Sequence, residues 1–89
     1  MAHDWSQVEI NRWMLREEVD PEVDASLAVI AHIWSEAENG GLWRWRVEVS
    51  DEEHSNEIIA DRASSEAEAR QFAEIAVDEA LANLRENAD

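Results

Sequence analysis

Apolar and polar residues alternate strictly over one stretch of the chain, Gly40-Gly41-Leu42-Trp43-Arg44-Trp45-Arg46-Val47-Glu48-Val49-Ser50. Trp43, Trp45, Val47 and Val49 fall on one side, and Leu42, Arg44, Arg46 and Glu48 on the other. This period of two predicts a half-buried β-strand. Its two tryptophans present a large apolar surface that the rest of the chain has to cover. An acidic polar loop follows, Asp51-Glu52-Glu53-His54-Ser55-Asn56. Residues 57–63, with Ile58 and Ile59 at their centre, then predict a second strand. Strands joined by so short a connection pair as an antiparallel hairpin. The pattern does not fix their register, so either Ile58 or Ile59 shares the tryptophan face.

Elsewhere the spacing points to helices. Ser6 with Glu9 fits a capping box, and Trp5 with Ile10 a hydrophobic staple, which predicts a helix over residues 7–18. Val8, Leu15 and Val19 share one face of that helix, whereas Ile10, Trp13 and Met14 lie on the opposite side. The second patch is either covered by another part of the chain or offered to a partner. Asp20 and Pro21 suit an N-cap and first helical position. Beyond them Val23, Leu27, Ile30, Ile33, Trp34 and Ala37 recur at helical spacing, and Asn39-Gly40-Gly41 supplies a stop. Ser65 with Glu68 makes another capping box and opens a last helix that runs to Arg85 or Glu86. Ala69, Phe72, Ala73, Ala76, Val77, Ala80 and Leu84 form its apolar stripe. Small alanines facing Trp43 and Trp45 are complementary in a close-packed core. The expected architecture is a single α+β domain over residues 1–89: two N-terminal helices, an antiparallel β-hairpin and a long C-terminal helix on the sheet, in the order ααββα.

Composition narrows the function. The chain has 89 residues, 45% of them apolar, with five tryptophans and no cysteine, the make-up of a folded domain without a disulfide framework. No apolar run is long enough to span a bilayer, and the start lacks the pattern of a signal peptide, so a cytoplasmic protein with no membrane partner is expected. The 22 acidic residues against seven basic ones give a net charge of −15, and every basic residue is an arginine. Such a field repels nucleic acid and attracts basic surfaces. Solubility, or adaptation to high salt, accounts for the same charge without any partner.

The residues that carry chemistry do not assemble into a reaction centre. The carboxylate pairs Glu17-Glu18, Asp51-Glu52-Glu53 and Glu66/Glu68 fall in exposed turns or helix ends, where nothing shifts a pKa for acid or base work. His3, His32 and His54 stand on a flexible end, a helix and a loop, without ligand spacing. No Cys, Lys or Gly-x-Ser-x-Gly offers a nucleophile, and no glycine-rich loop cradles phosphate. The alternation of Trp43 and Trp45 with Arg44 and Arg46 invites a base-stacking reading. Core tryptophans, with arginines on the solvent side pairing with Glu48 or Asp61, are the simpler alternative. No enzyme activity, cofactor or metal is expected.

Two functions fit. In the first, carboxylates on helix faces and turns imitate part of the charge array of DNA and occupy a basic, nucleic-acid-binding site of a partner complex. The candidate residues are Glu68, Glu74, Asp78, Glu79 and Glu86 on the last helix, Asp51, Glu52 and Glu53 in the loop, and Glu17 and Glu18. In size, charge and compact α+β plan, the chain resembles small acidic phage-encoded inhibitors of the anti-CRISPR and DNA-mimic type. The resemblance spans the whole chain, rests on no single motif and transfers no residue roles. It implies a non-catalytic inhibitor acting inside a host cell. In the second function, acidity serves only solubility or high-salt adaptation. Ile10, Trp13 and Met14 then form an apolar interface in a structural or regulatory module, with a homodimer as one form.

Overall fold

The computed structural model describes residues 3–20, 22, 24–35 and 42–86. Among the described residues five strands and one helix follow in order: β1 (Ser6–Glu9), β2 (Arg12–Asp20), β3 (Asp24–Ser35), β4 (Trp43–Ser50), β5 (Ser55–Ala63) and α1 (Glu66–Glu86). The strands form one antiparallel meander in sequence order, with β1 and β5 at its edges. The α+β class, the hairpin β4–β5 and the C-terminal helix agree with the sequence pattern. The two N-terminal helices do not exist. Residues 7–18 make most of a β-hairpin, and the stretch from Asp24 to Ser35 is the central strand.

The register explains the correction. Leu15 faces Ala31, Ala31 faces Val47, Trp13 faces Ile33, and Ile33 faces Trp45. Residues 13, 15, 17 and 19 of β2 therefore share one sheet face with 29, 31 and 33 of β3 and 43, 45, 47 and 49 of β4. As the middle strand, β3 has a neighbour along each edge, and none of its residues from Leu27 to Trp34 is fully exposed on either face. Its apolar residues accordingly run from Leu27 to Trp34 with His32 as the one break. Such a run contains helical spacings by coincidence, and periodicity alone cannot tell the two apart. The β-branched Val29, Ile30 and Ile33 favour the strand. Ser6 and Glu9, the expected capping box, stand within β1, Ile10 lies in the turn after it, and Asp20 serves a turn. Glu22 N–H donates to Asp20 Oδ1 at 3.2 Å, an Asx turn in place of a helix cap. The expected first helical position Pro21, the stripe members Val23 and Ala37, and the stop at Asn39-Gly40-Gly41 lie outside the described residues.

Helix α1 lies across the tryptophan side of the sheet, chiefly over β3 and β4. Ala69, Ala73, Val77 and Leu81 are buried there against Leu15, Val19, Val29, Ala31, Ile33, Trp45, Val47 and Ala63. The alanines at i, i+4 let the helix sit close to the bulky sheet residues. Its start is fixed as the capping pattern predicts, with the Glu68 N–H donating to Ser65 Oγ at 3.1 Å. The Glu68 carboxylate reaches back one residue further, taking the N–H and hydroxyl of Ser64, each at 3.1 Å. Ile59, opposite Val47, is the isoleucine on the tryptophan face, while a bulge at Ile58 shifts the register beyond it. Phe72 belongs less to the core than its spacing suggests: its ring centre lies 6.1 Å from that of Trp45, yet the residue is 39% exposed.

Candidate functional site

The N-terminal segment is tied to the helix through polar side chains. Trp5 Nε1 donates to Glu74 Oε2 at 2.7 Å. His3 bridges two carboxylates, with Nδ1 at 3.2 Å from Glu17 and Nε2 at 3.1 Å from Asp78. His3 is thus held in place, not carried on a flexible end. Burial opposes its charge, but Glu17, Asp78 and Glu74 outweigh that, and its pKa lies above the ordinary 6.5. Glu74 and Asp78, a like-charge (i, i+4) pair, share this cluster of donors. Their partners offset the repulsion that such a pair brings to a helix. Of the acidic residues named from the sequence, Glu17, Glu74 and Asp78 are therefore paired with other parts of the chain.

The two arginines of α1 are also held by the sheet, Arg70 half-buried and Arg85 exposed at the end of β2. The Arg70 guanidinium lies 4.4 Å from the centre of the Trp13 ring and 5.9 Å from that of Trp5, with Glu66 at 3.6 Å. Arg85 donates to the carbonyls of Val19 and Glu18 at 2.9 and 3.2 Å. The outermost stripe of the helix then carries no cation. At helical spacing it reads Glu68, Phe72, Ile75, Glu79, Ala82 and Glu86. Phe72 and Ile75 at its centre are exposed, at 39% and 50%. Sequence spacing assigned Phe72 to the core and passed over Ile75. An exposed aromatic next to an exposed Ile, between glutamates, is the signal that identifies the stripe.

The loop between β4 and β5 adds to the same end of the molecule as the helix C-terminus. Glu18 stands opposite Ala28, and Ala28 opposite Ser50, so the row that receives Arg85 runs out into Asp51, Glu52 and Glu53. Asp51 Oδ1 accepts the N–H groups of Glu53 and His54 at 2.9 and 2.7 Å, which lowers its pKa below the usual carboxylate value. Its charge shapes the turn, while Glu52 and Glu53 face solvent. Glu18 pairs with Arg16 at 3.1 Å. Among the described residues no three His, Asp or Glu side chains converge on a metal position, and no helix is long and apolar enough to cross a membrane.

The face of the sheet away from the helix is different in kind. The register aligns Arg12, Trp34, Arg44 and Arg62 in one row and Met14, His32, Arg46 and Ala60 in the next. With Arg16, this face holds five of the seven arginines. Farther along the strands it carries Glu48, Glu57 and Glu18. Glu48 Oε1 lies 3.2 Å from His32 Nε2, its Oε2 accepts from Ser55 at 3.0 Å, and Arg46 is 4.0 Å away. Burial works to raise the Glu48 pKa, but these partners prevail and lower it. The face is thus graded, from arginine and tryptophan at one end of the sheet to carboxylates at the other.

Ile10, Trp13 and Met14 do not form a patch. Ile10 stands in the β1–β2 turn, 86% exposed, and Trp13 packs under Arg70 on the helix side. Met14, one residue on in the same strand, points to the opposite face. Compared with protein-family models, curated proteins and solved structures, the chain matches none.

Proposed function

We propose that the protein is a non-catalytic binding protein, of the inhibitor type, that docks the outer stripe of α1 onto a basic surface which otherwise receives nucleic acid. The observation that carries this reading is the make-up of that stripe. Exposed Phe72 and Ile75 sit between Glu68, Glu79 and Glu86, while both arginines of the helix reach to the sheet and away from this stripe. Phe72 touches Trp45 with part of its ring, and together with Ile75 it leaves an apolar strip open at the centre of the stripe. An apolar centre with a charged rim is the anatomy of a protein interface. The acidic rim supplies steering toward a positive partner, and Glu52 and Glu53 extend it beyond the helix end.

The test is affinity capture from nuclease-treated host lysate with the natural protein and with a Glu79→Lys/Glu86→Lys variant. These two glutamates are exposed and make none of the described ion pairs, so the variant keeps the fold. The natural protein is expected to retain a nucleic-acid-binding protein that elutes with rising salt, and the variant to lose it. The same proteins retained equally by both overturns the reading.

A further inference from the structure

We infer that the hollow beside Trp34 on the helix-free sheet face binds a small anion with a planar base, of the nucleoside-monophosphate class. The hollow has a volume of about 380 Å³, and its lining includes Trp34, the three arginines Arg44, Arg46 and Arg62, and two acids, Glu57 and Asp61. That is within the range of small-ligand sites. Trp34 stands in the middle of a cross-strand row, with Arg12 before it and Arg44 and Arg62 after it. The Arg12 guanidinium lies 5.6 Å from the Trp34 ring centre and steadies the indole from the β2 side. The β4–β5 side of the ring is left for a ligand, because the next row ends in Ala60, whose methyl group occupies little of the space.

Each part of such a ligand has a counterpart there. A planar base stacks on the indole or beneath a guanidinium. A phosphate takes the fork of an arginine in two parallel hydrogen bonds. Arg62 suits this role best, since among the described residues its guanidinium has no acid partner, whereas Arg46 is shared with Glu48. Glu57 at the rim accepts hydrogen bonds from the amino group of a base. The net charge of −15 decides the size of the ligand. A long polyanion gathers repulsion from the whole molecule, while one phosphate at Arg62 meets a hollow whose three arginines outnumber its two acids, Glu57 and Asp61. The acidic stripe of α1 lies on the opposite side of the sheet and has no part in this site.

The experiment is a ¹H–¹⁵N titration that follows the Trp34 indole N–H and the Arg62 side chain. The probes are adenosine monophosphate, adenosine, inorganic phosphate and a ten-nucleotide single strand. Adenosine monophosphate is expected to shift both signals saturably, with a Kd between about 0.1 and 5 mM. Adenosine and phosphate are each expected to bind at least about tenfold more weakly, as each supplies only half of the contacts. Arg62→Glu is expected to weaken the nucleotide by about tenfold or more with the spectrum otherwise unchanged. Trp34→Phe, which keeps an aromatic face, is expected to retain binding that Trp34→Ala loses. Three results overturn the inference: no saturable shift with adenosine monophosphate, phosphate alone binding as tightly, or Arg62→Glu binding unchanged. Tighter binding of the ten-nucleotide strand overturns it as well, in favour of a nucleic-acid platform.

Discussion

Arg70 caps Trp13: the guanidinium carbon sits 4.4 Å from the ring centre, on the helix side of the sheet. One contact thereby removes a cation from the outer helix surface and closes the core at the β1–β2 end. Replacing Arg70 by Ala is expected to cost about 2 kcal/mol in urea denaturation, since a partly desolvated cation over two rings and the stem packing are lost together. Arg70→Lys is expected to recover only part of this, because an ammonium cannot stack flat. No loss in Arg70→Ala contradicts the cap.

Trp5 and Glu74 join the N-terminal segment to the helix across 69 residues of sequence. A double-mutant cycle with Trp5→Phe and Glu74→Gln is expected to give a coupling of about 1.5 kcal/mol, the usual size for a hydrogen bond to a charged group. Strictly additive single effects contradict it.

His3 makes that end of the molecule sensitive to pH. Its folded pKa is raised above 6.5, so the stabilisation by protonated His3 is fully present below that value and is lost as pH rises through the raised pKa. Once the intrinsic pH dependence of exchange is divided out, the Trp5 indole N–H is expected to be less protected at about pH 9 than at about pH 6. His3→Gln is expected to flatten that difference. A titration midpoint of His3 at or below 6.5 contradicts the geometry.

The fates of Ile10, Trp13 and Leu15 separate a core from an interface. Ile10→Ala is expected to change stability by less than about 0.5 kcal/mol, because the side chain is 86% exposed. Leu15→Ala, at 1% exposure, is expected to cost about 3 kcal/mol, and Trp13→Ala a similar amount. A monomer–dimer equilibrium abolished by Ile10→Ala, seen by sedimentation, restores the apolar-interface alternative.

The C-terminal half of the chain is legible in the sequence and the N-terminal half is not, for reasons that lie in coverage. Strand β4 alternates cleanly because its far face is polar, and α1 carries both a cap and a long alanine stripe. Strand β2 alternates too, but Glu17 stands where an apolar residue is expected, and its reason for being there, His3, lies 14 residues away in the chain. Strand β3 has Ile30 and Trp34 on the side without a helix, which fills in the pattern and erases the period of two. The candidate acids divide in the same way. Glu79, Glu86, Glu52 and Glu53 are exposed as the helix and loop assignments imply. Glu74, Asp78 and Glu17 instead meet partners across the Trp5 and His3 segment, a pairing that no helical reading of the N-terminus contains. The row of Arg12, Trp34, Arg44 and Arg62 draws one residue from each of four strands, so no local window contains it.

We propose that the outer stripe of α1 occupies a site that otherwise receives nucleic acid. Competition between this protein and labelled duplex DNA for the captured partner tests it most directly. Mutual exclusion is expected, with the apparent Kd for DNA rising in proportion to the protein added. A ternary complex, with DNA affinity unchanged at saturating protein, contradicts it.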